Sequence, residues 1–240
     1  MAPGPGLTIS IDEKRFGGSG APLFSGFRAE LAPGSVTAIW GPSGVGKSTL
    51  LRMIAGTDRD YSGTITIGDL DAEAAPPPGF VFQDPRLLPW LTTLDNVRVA
   101  GAGVGAEAAM VALSKTGLAS HGQLYPHQLS GGMQRRAALA RALALNSRLL
   151  LLDEPFVSLD RALVEEMYRL IEAVIETERP TILFVTHITE DAARLADRVI
   201  VLAGRPARIG ADLTLTEPRS KRDRTVVEAY RDLIERSMRR

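Results

Sequence analysis

Two patterns of apolar residues divide the strands of this chain into two kinds. Leu7-Thr-Ile-Ser-Ile11 and Gly63-Thr-Ile-Thr-Ile67 alternate apolar and polar positions, which predicts half-buried antiparallel strands forming one small β-layer. Residues 36–40, 80–82, 149–152, 181–185 and 199–202 are instead short, nearly unbroken apolar runs, as expected of strands covered on both faces in a parallel α/β core. Between Pro85 and Leu129 the strand signals fade, and segments such as 106–113 predict short helices separated by glycines, a helical insertion. Residues 130–145, carrying Arg-Arg-Ala-Ala-Leu-Ala-Arg-Ala-Leu, predict a longer helix of strong helix formers. Pro76-Pro-Pro78 marks a loop. Over 225–238 the residues Val226, Val227, Tyr230, Leu233, Ile234 and Met238 fall near helical spacing, which suits a helix packed on its own domain or, alternatively, a partner or a membrane surface.

Composition narrows the class. A length of 240 residues suits one well-buried unit. The 28 Lys and Arg balance the 28 Asp and Glu, so the general basic excess that drives binding to phosphate backbones is missing, and nucleic acid is disfavoured as a partner. The absence of cysteine excludes disulfides, thiolate metal sites and thiol nucleophiles. Residues 1–6 carry neither the basic nor the apolar stretch of a signal peptide, and no apolar run approaches the about 20 residues that span a bilayer. A cytoplasmic chain whose membrane association runs through a partner is expected.

The chemistry is concentrated in three short stretches. Gly41-Pro-Ser-Gly-Val-Gly-Lys-Ser48 fits a phosphate loop and lies between an apolar strand and a helical segment, as that loop requires. Backbone N–H groups of Gly41, Pro42, Ser43, Gly44, Val45, Gly46 and Thr49, proline excepted as a donor, would cradle phosphates; Lys47 would bridge the β- and γ-phosphates and Ser48 would offer a hydroxyl to Mg²⁺. Leu149-Leu-Leu-Leu-Asp-Glu154 ends a buried strand with two carboxylates, an unfavourable place for charge unless a cation or water uses it. Asp153 would hold Mg²⁺ through water, and Glu154 would polarise or orient the attacking water; capping of the next helix is the plain structural alternative for the pair. Leu129-Ser-Gly-Gly-Met-Gln134 opens a helix whose N–H groups and positive dipole end suit an anion.

In this order the three stretches closely resemble the ATP-binding-cassette (ABC) ATPases, over residues from about 7 to 208. The resemblance implies a P-loop NTPase core of mostly parallel sheet with flanking helices, an N-terminal antiparallel β-layer and a helical insertion. Residues 1–240 would then form a single ABC ATPase domain, with a catalytic core of 1–85 and 136–240 and a helical signature subdomain of 86–135. Residue by residue, Phe16 resembles the aromatic that stacks on adenine, with a core phenylalanine as the alternative. Gln83 resembles the glutamine that touches Mg²⁺ and the water. Ser158-Leu159-Asp160 resembles the loop that crosses a dimer interface, and His187 the switch histidine at the γ-phosphate. His121 and His127 match no catalytic element. Met133 and Arg135 depart from the family, which more often has glutamine at both positions, without removing a catalytic group.

The resemblance further implies a homodimer sandwiching two ATP molecules head to tail. Ser130, Gly131 and Gly132 of one subunit would complete the site built on Lys47, Ser48, Asp153 and Glu154 of the other. Phe80-Val-Phe-Gln-Asp-Pro-Arg-Leu-Leu-Pro-Trp90, Leu94-Asp-Asn-Val97 and Leu202-Ala-Gly-Arg-Pro-Ala-Arg208 resemble the nitrate, sulfonate and taurine importer ATPases, with thiamine-precursor importers also similar. Such a subunit would sit peripherally on the cytoplasmic face of the inner membrane, bound to transmembrane permease subunits and served indirectly by a solute-binding protein. An exporter ATPase and a non-transport ABC ATPase acting on nucleic acid or ribosomes are the alternatives. The apolar cluster Leu87, Leu88, Pro89 and Trp90 is the expected permease contact, unless Trp90 packs inside the insertion.

Overall fold

The computed structural model describes residues 2–17 and 20–238. In chain order the elements are β1 (Leu7–Lys14), β2 (Phe24–Leu31), β3 (Val36–Trp40), α1 (Lys47–Ile54), β4 (Ser62–Ile67), β5 (Leu70–Asp71), β6 (Gly79–Val81), α2 (Thr93–Arg98) and α3 (Ala106–Lys115). There follow α4 (Gly131–Ala144), β7 (Leu149–Asp153), α5 (Arg161–Glu178), β8 (Thr181–Thr186), α6 (Thr189–Leu195), β9 (Arg198–Ala203), β10 (Arg208–Thr214) and α7 (Arg224–Ser237).

The strands form two sheets. One is antiparallel in the order β2-β1-β4-β5; the other has the order β10-β9-β3-β8-β7-β6, parallel from β9 to β6 and closed at one edge by the antiparallel strand β10. The parallel strands are largely apolar because successive side chains leave opposite faces of a sheet that is covered twice. Leu150, Leu152, Ile182, Phe184, Val199 and Val201 join the core made with the helices, whereas Leu149, Leu151, Leu183, Val185, Ile200 and Leu202 join the core made with α1 and the antiparallel layer.

Both kinds of strand in the sequence reading are present, with local shifts. Residues 80–82 were expected as a strand, but β6 spans Gly79–Val81, and Phe82 lies beyond it, stacked on Phe80 at 4.2 Å. β2 and β10 escaped the reading because in Phe24-Ser-Gly-Phe-Arg-Ala-Glu-Leu31 and Arg208-Ile-Gly-Ala-Asp-Leu-Thr214 glycine, charge and alanine break the apolar count.

Helix starts follow the sequence. Ser130 caps α4 by accepting from the Met133 amide, Asp160 caps α5 by accepting from Leu163, and Asp223 caps α7 by accepting from Val226. α4 is continuous through residues 135 and 136, so the border drawn there falls inside a helix. α7 buries Val227 and Ile234 against its own chain while Leu233 and Met238 stay exposed. That is the packed-helix reading.

Candidate active site

Functional side chains gather because adjacent parallel strands deliver them at their C-terminal ends, the usual ligand side of such a sheet. The phosphate loop follows β3, Asp153 is the last residue of β7 and Glu154 the next, His187 follows β8, and Gln83 follows β6 by two residues. A cavity of about 700 Å³ is lined by Phe16, Ser43, Gly44, Gly46, Lys47, Ser48, Thr49, Gln83 and Glu154. Gly46 is required where it stands: its φ is 111°, and a Cβ there would lie 2.9 Å from the Phe24 ring.

Lys47 is buried, and its ammonium donates to the carbonyls of Gly41 at 2.8 Å and Pro42 at 3.1 Å, with Glu154 at 3.9 Å. Burial pushes its pKa down, while the Glu154 and Asp153 carboxylates push it back up. An arriving phosphate supplies the counter-charge that a desolvated ammonium needs.

Ser48 donates its hydroxyl to Asp153 at 2.7 Å. Burial holds the Asp153 carboxyl above the usual range; the Ser48 hydrogen bond opposes this and the neighbouring Glu154 adds to it. Among the described residues no group of three or more His, Cys, Asp or Glu can cage a metal. One hydroxyl and one carboxylate, both oxygen donors, beside a phosphate cradle are what a hard, water-retaining cation such as Mg²⁺ uses. The donor set therefore fits Mg²⁺ held jointly with a phosphate.

Glu154 has a backbone φ of 47°, in the left-handed region that a residue with a branched carboxylate side chain rarely occupies. Its amide donates to the Val185 carbonyl, and its Oε2 lies 3.2 Å from Nδ1 of His187. The pair is thus not a helix cap, and the strain sits on the residue expected to handle water.

Phe16 is 60% exposed at the cavity rim, with Lys14 Nζ 4.9 Å from its ring centroid, so it is not a core residue. Ser130 and Gly131 are exposed, and Ser130, Gly131, Gly132 and Asp160 do not line the Lys47 cavity. A Cβ on Gly132 would lie 2.5 Å from Leu163. Trp90 is 70% exposed, which overturns packing inside the insertion. The buried Asn96 holds this loop by accepting from the Leu88 amide and donating to the carbonyls of Leu88, Leu91 and Thr92. Neither His121 nor His127 lines the cavity.

Two residues escaped the sequence reading. Arg205, in the turn between β9 and β10, forms part of the cavity wall beside Gly44. No motif marks it. Arg135 donates to the carbonyls of Pro155 and Val157, tying α4 to the segment just after Glu154. Its departure from the family residue was the available signal.

The fold and this cavity define a phosphate-loop nucleotide hydrolase. The ABC transporter family pattern matches residues 24–157. An aliphatic sulfonates import ATP-binding protein (SsuB 2) of Streptomyces avermitilis is 45% identical, over 95% of this chain and 87% of that protein. Its counterpart in Burkholderia lata is 38% identical over 97% of this chain and 89% of that protein. Among solved structures, the dimeric ATP-binding cassette MJ0796 in a post-hydrolysis state bound to ADP and Pi matches with TM-score 0.76 and 29% identity, over 89% of this chain and all of that one. A bacterial Atm1-family ABC exporter with ATP bound matches with TM-score 0.75 and 26% identity, over 89% of this chain and 40% of that one. The chain belongs to the ABC transporter family and is an ATPase of that family.

Proposed function

We propose that this ATPase energises uptake of an aliphatic sulfonate or a similar small solute through a separate permease, at the cytoplasmic face of the membrane. The cassette fold is common to importers and exporters, so the direction rests on the import proteins it resembles over nearly their whole length. No helix of the described residues is long and apolar enough to cross a membrane, which suits a subunit that needs a membrane partner. Trp90 and its loop, exposed yet pinned by Asn96, are the proposed permease contact.

The observation that carries the chemistry is the convergence of Lys47, Ser48, Asp153, Glu154 and His187 at the ends of β3, β7 and β8. Phe16 stacks on adenine, the phosphate-loop amides hold the β-phosphate, and Lys47 neutralises charge on the β- and γ-phosphates. Ser48, Asp153 and Gln83 would hold Mg²⁺, which when bound would neutralise developing phosphate charge. Glu154 orients and polarises the attacking water, and His187 contacts the γ-phosphate. Two subunits pair head to tail, so that Ser130, Gly131 and Gly132 complete the partner's site and Asp160 lies in the interface. Residues 86–135 form the helical signature subdomain, and α4 ties it to the core.

The test is affinity purification of the tagged chain from solubilised membranes, followed by reconstitution into vesicles. A multispanning permease should co-purify, and an alkanesulfonate presented with its binding protein should raise ATP turnover and enter the vesicles. Recovery with ribosomes or nucleic acid instead of a membrane protein would overturn the importer reading.

A further inference from the structure

His187 sits in a short turn between β8 and α6, and the turn is held from behind by a buried carboxylate. Asp191 is 2% exposed, and among the described residues no lysine or arginine forms an ion pair with it. Both of its oxygens are engaged instead: Oδ1 accepts from the Tyr168 hydroxyl at 2.6 Å and Oδ2 from the Thr186 hydroxyl at 2.7 Å. Burial raises its pKa, the expected response of a carboxylate removed from water, and the two hydroxyl donors oppose the rise. A carboxylate buried with hydroxyl donors but no ion-pair partner is costly to keep and needs a reason.

The reason lies in what Thr186 does with its other hydrogen bond. While donating to Asp191, its hydroxyl accepts from the Ile188 amide at 3.0 Å. The carboxylate therefore fixes the residue before His187 directly and the residue after it through one hydroxyl. His187 itself is half exposed, and its Nδ1 faces Glu154 at 3.2 Å. The other anchor is rigid too. Tyr168 packs on Phe156, two residues beyond Glu154, with ring centroids 4.5 Å apart. The Arg194 guanidinium lies over the Tyr168 ring at 4.3 Å and is tied to Glu165 at 2.6 Å. A cavity of about 910 Å³, lined in part by Tyr168, His187, Ile188 and Asp191, adjoins the turn. Packing alone leaves the turn room to move.

We infer that Asp191 is a positioning residue for hydrolysis: acting through Thr186, with Tyr168 as its anchor, it fixes the turn that presents His187 to Glu154 and the γ-phosphate. The inference rests on the role proposed above for His187.

Steady-state ATPase assays on Asp191→Asn, Thr186→Val, His187→Ala and the double variant Asp191→Asn/His187→Ala test it, with ATP binding and Tm measured on each. A misplaced catalytic group lowers turnover more than binding, so Asp191→Asn and Thr186→Val should each reduce kcat about tenfold or more, with KM for ATP within about twofold of wild type. The double variant should turn over no more slowly than His187→Ala alone, because the carboxylate acts only through the histidine. Thr186→Val, nearly isosteric, carries the test should Asp191→Asn fold poorly. Wild-type kcat in a folded Thr186→Val or Asp191→Asn, or a double variant well below His187→Ala, overturns the inference. Full turnover in His187→Ala would instead overturn the role of His187 itself.

Discussion

Nδ1 of His187 stands 3.2 Å from Oε2 of Glu154, although the two residues follow different strands, β8 and β7. Lys47 Nζ lies 3.9 Å from the other carboxylate oxygen, Oε1, so one carboxylate stands between an ammonium and an imidazole. Glu154 makes both contacts while holding a left-handed backbone conformation, φ 47°.

Phe16 is exposed at the cavity rim, so its removal should affect nucleotide affinity and little else. Aromatic–base stacking contributes about 1–3 kcal/mol, and Phe16→Ala should raise KM for ATP by roughly 5- to 150-fold while leaving kcat and Tm nearly unchanged. Phe16→Tyr should be almost silent. Titration of ATP turnover in both variants checks this, and an unchanged KM in the alanine variant would remove Phe16 from the site.

Ser130 and Lys47 lie in separate parts of one subunit, which makes the head-to-tail arrangement testable with mixed dimers. A dimer with Ser130→Ala in one chain and Lys47→Ala in the other should keep one intact site and about half of the ATP-binding capacity. Both changes in the same chain should leave none. Equal ATP binding by the two arrangements would contradict the composite site.

Trp90 is 70% exposed and makes no contribution to the core, so Trp90→Ala should leave basal ATPase and Tm unchanged. If its loop grips the permease, the variant should lose roughly 2 kcal/mol or more of that association, read as weaker co-purification and slower uptake. Normal co-purification would place the permease contact elsewhere.

Much of this molecule was legible in the sequence because its strongest signals are local. An unbroken apolar run such as Leu149-Leu-Leu-Leu suits a doubly covered strand, and a glycine-rich loop between strand and helix suits an anion. Weak strands were not legible. β2 and β10 owe their existence to neighbours in the sheet, with β10 fixed by pairing to β9 and β2 by pairing to β1, so their own residues need not announce them. Contacts made by long side chains across the fold were equally hidden. Arg205 reaches the cavity from the β9–β10 turn, and Asp191 reaches Tyr168 across 23 positions of sequence, distances over which periodicity carries no information.

Glu154→Gln gives the most direct measurement of the central claim. The amide keeps the shape of the side chain but cannot accept a proton from water, so ATP binding should survive while phosphate release falls by on the order of 10²-fold or more. With ATP and Mg²⁺ present, the variant should run on gel filtration as a dimer that retains unhydrolysed ATP, and wild type should release phosphate under the same conditions. Phosphate release by Glu154→Gln at the wild-type rate would contradict the assignment of this carboxylate and the hydrolytic site built around it.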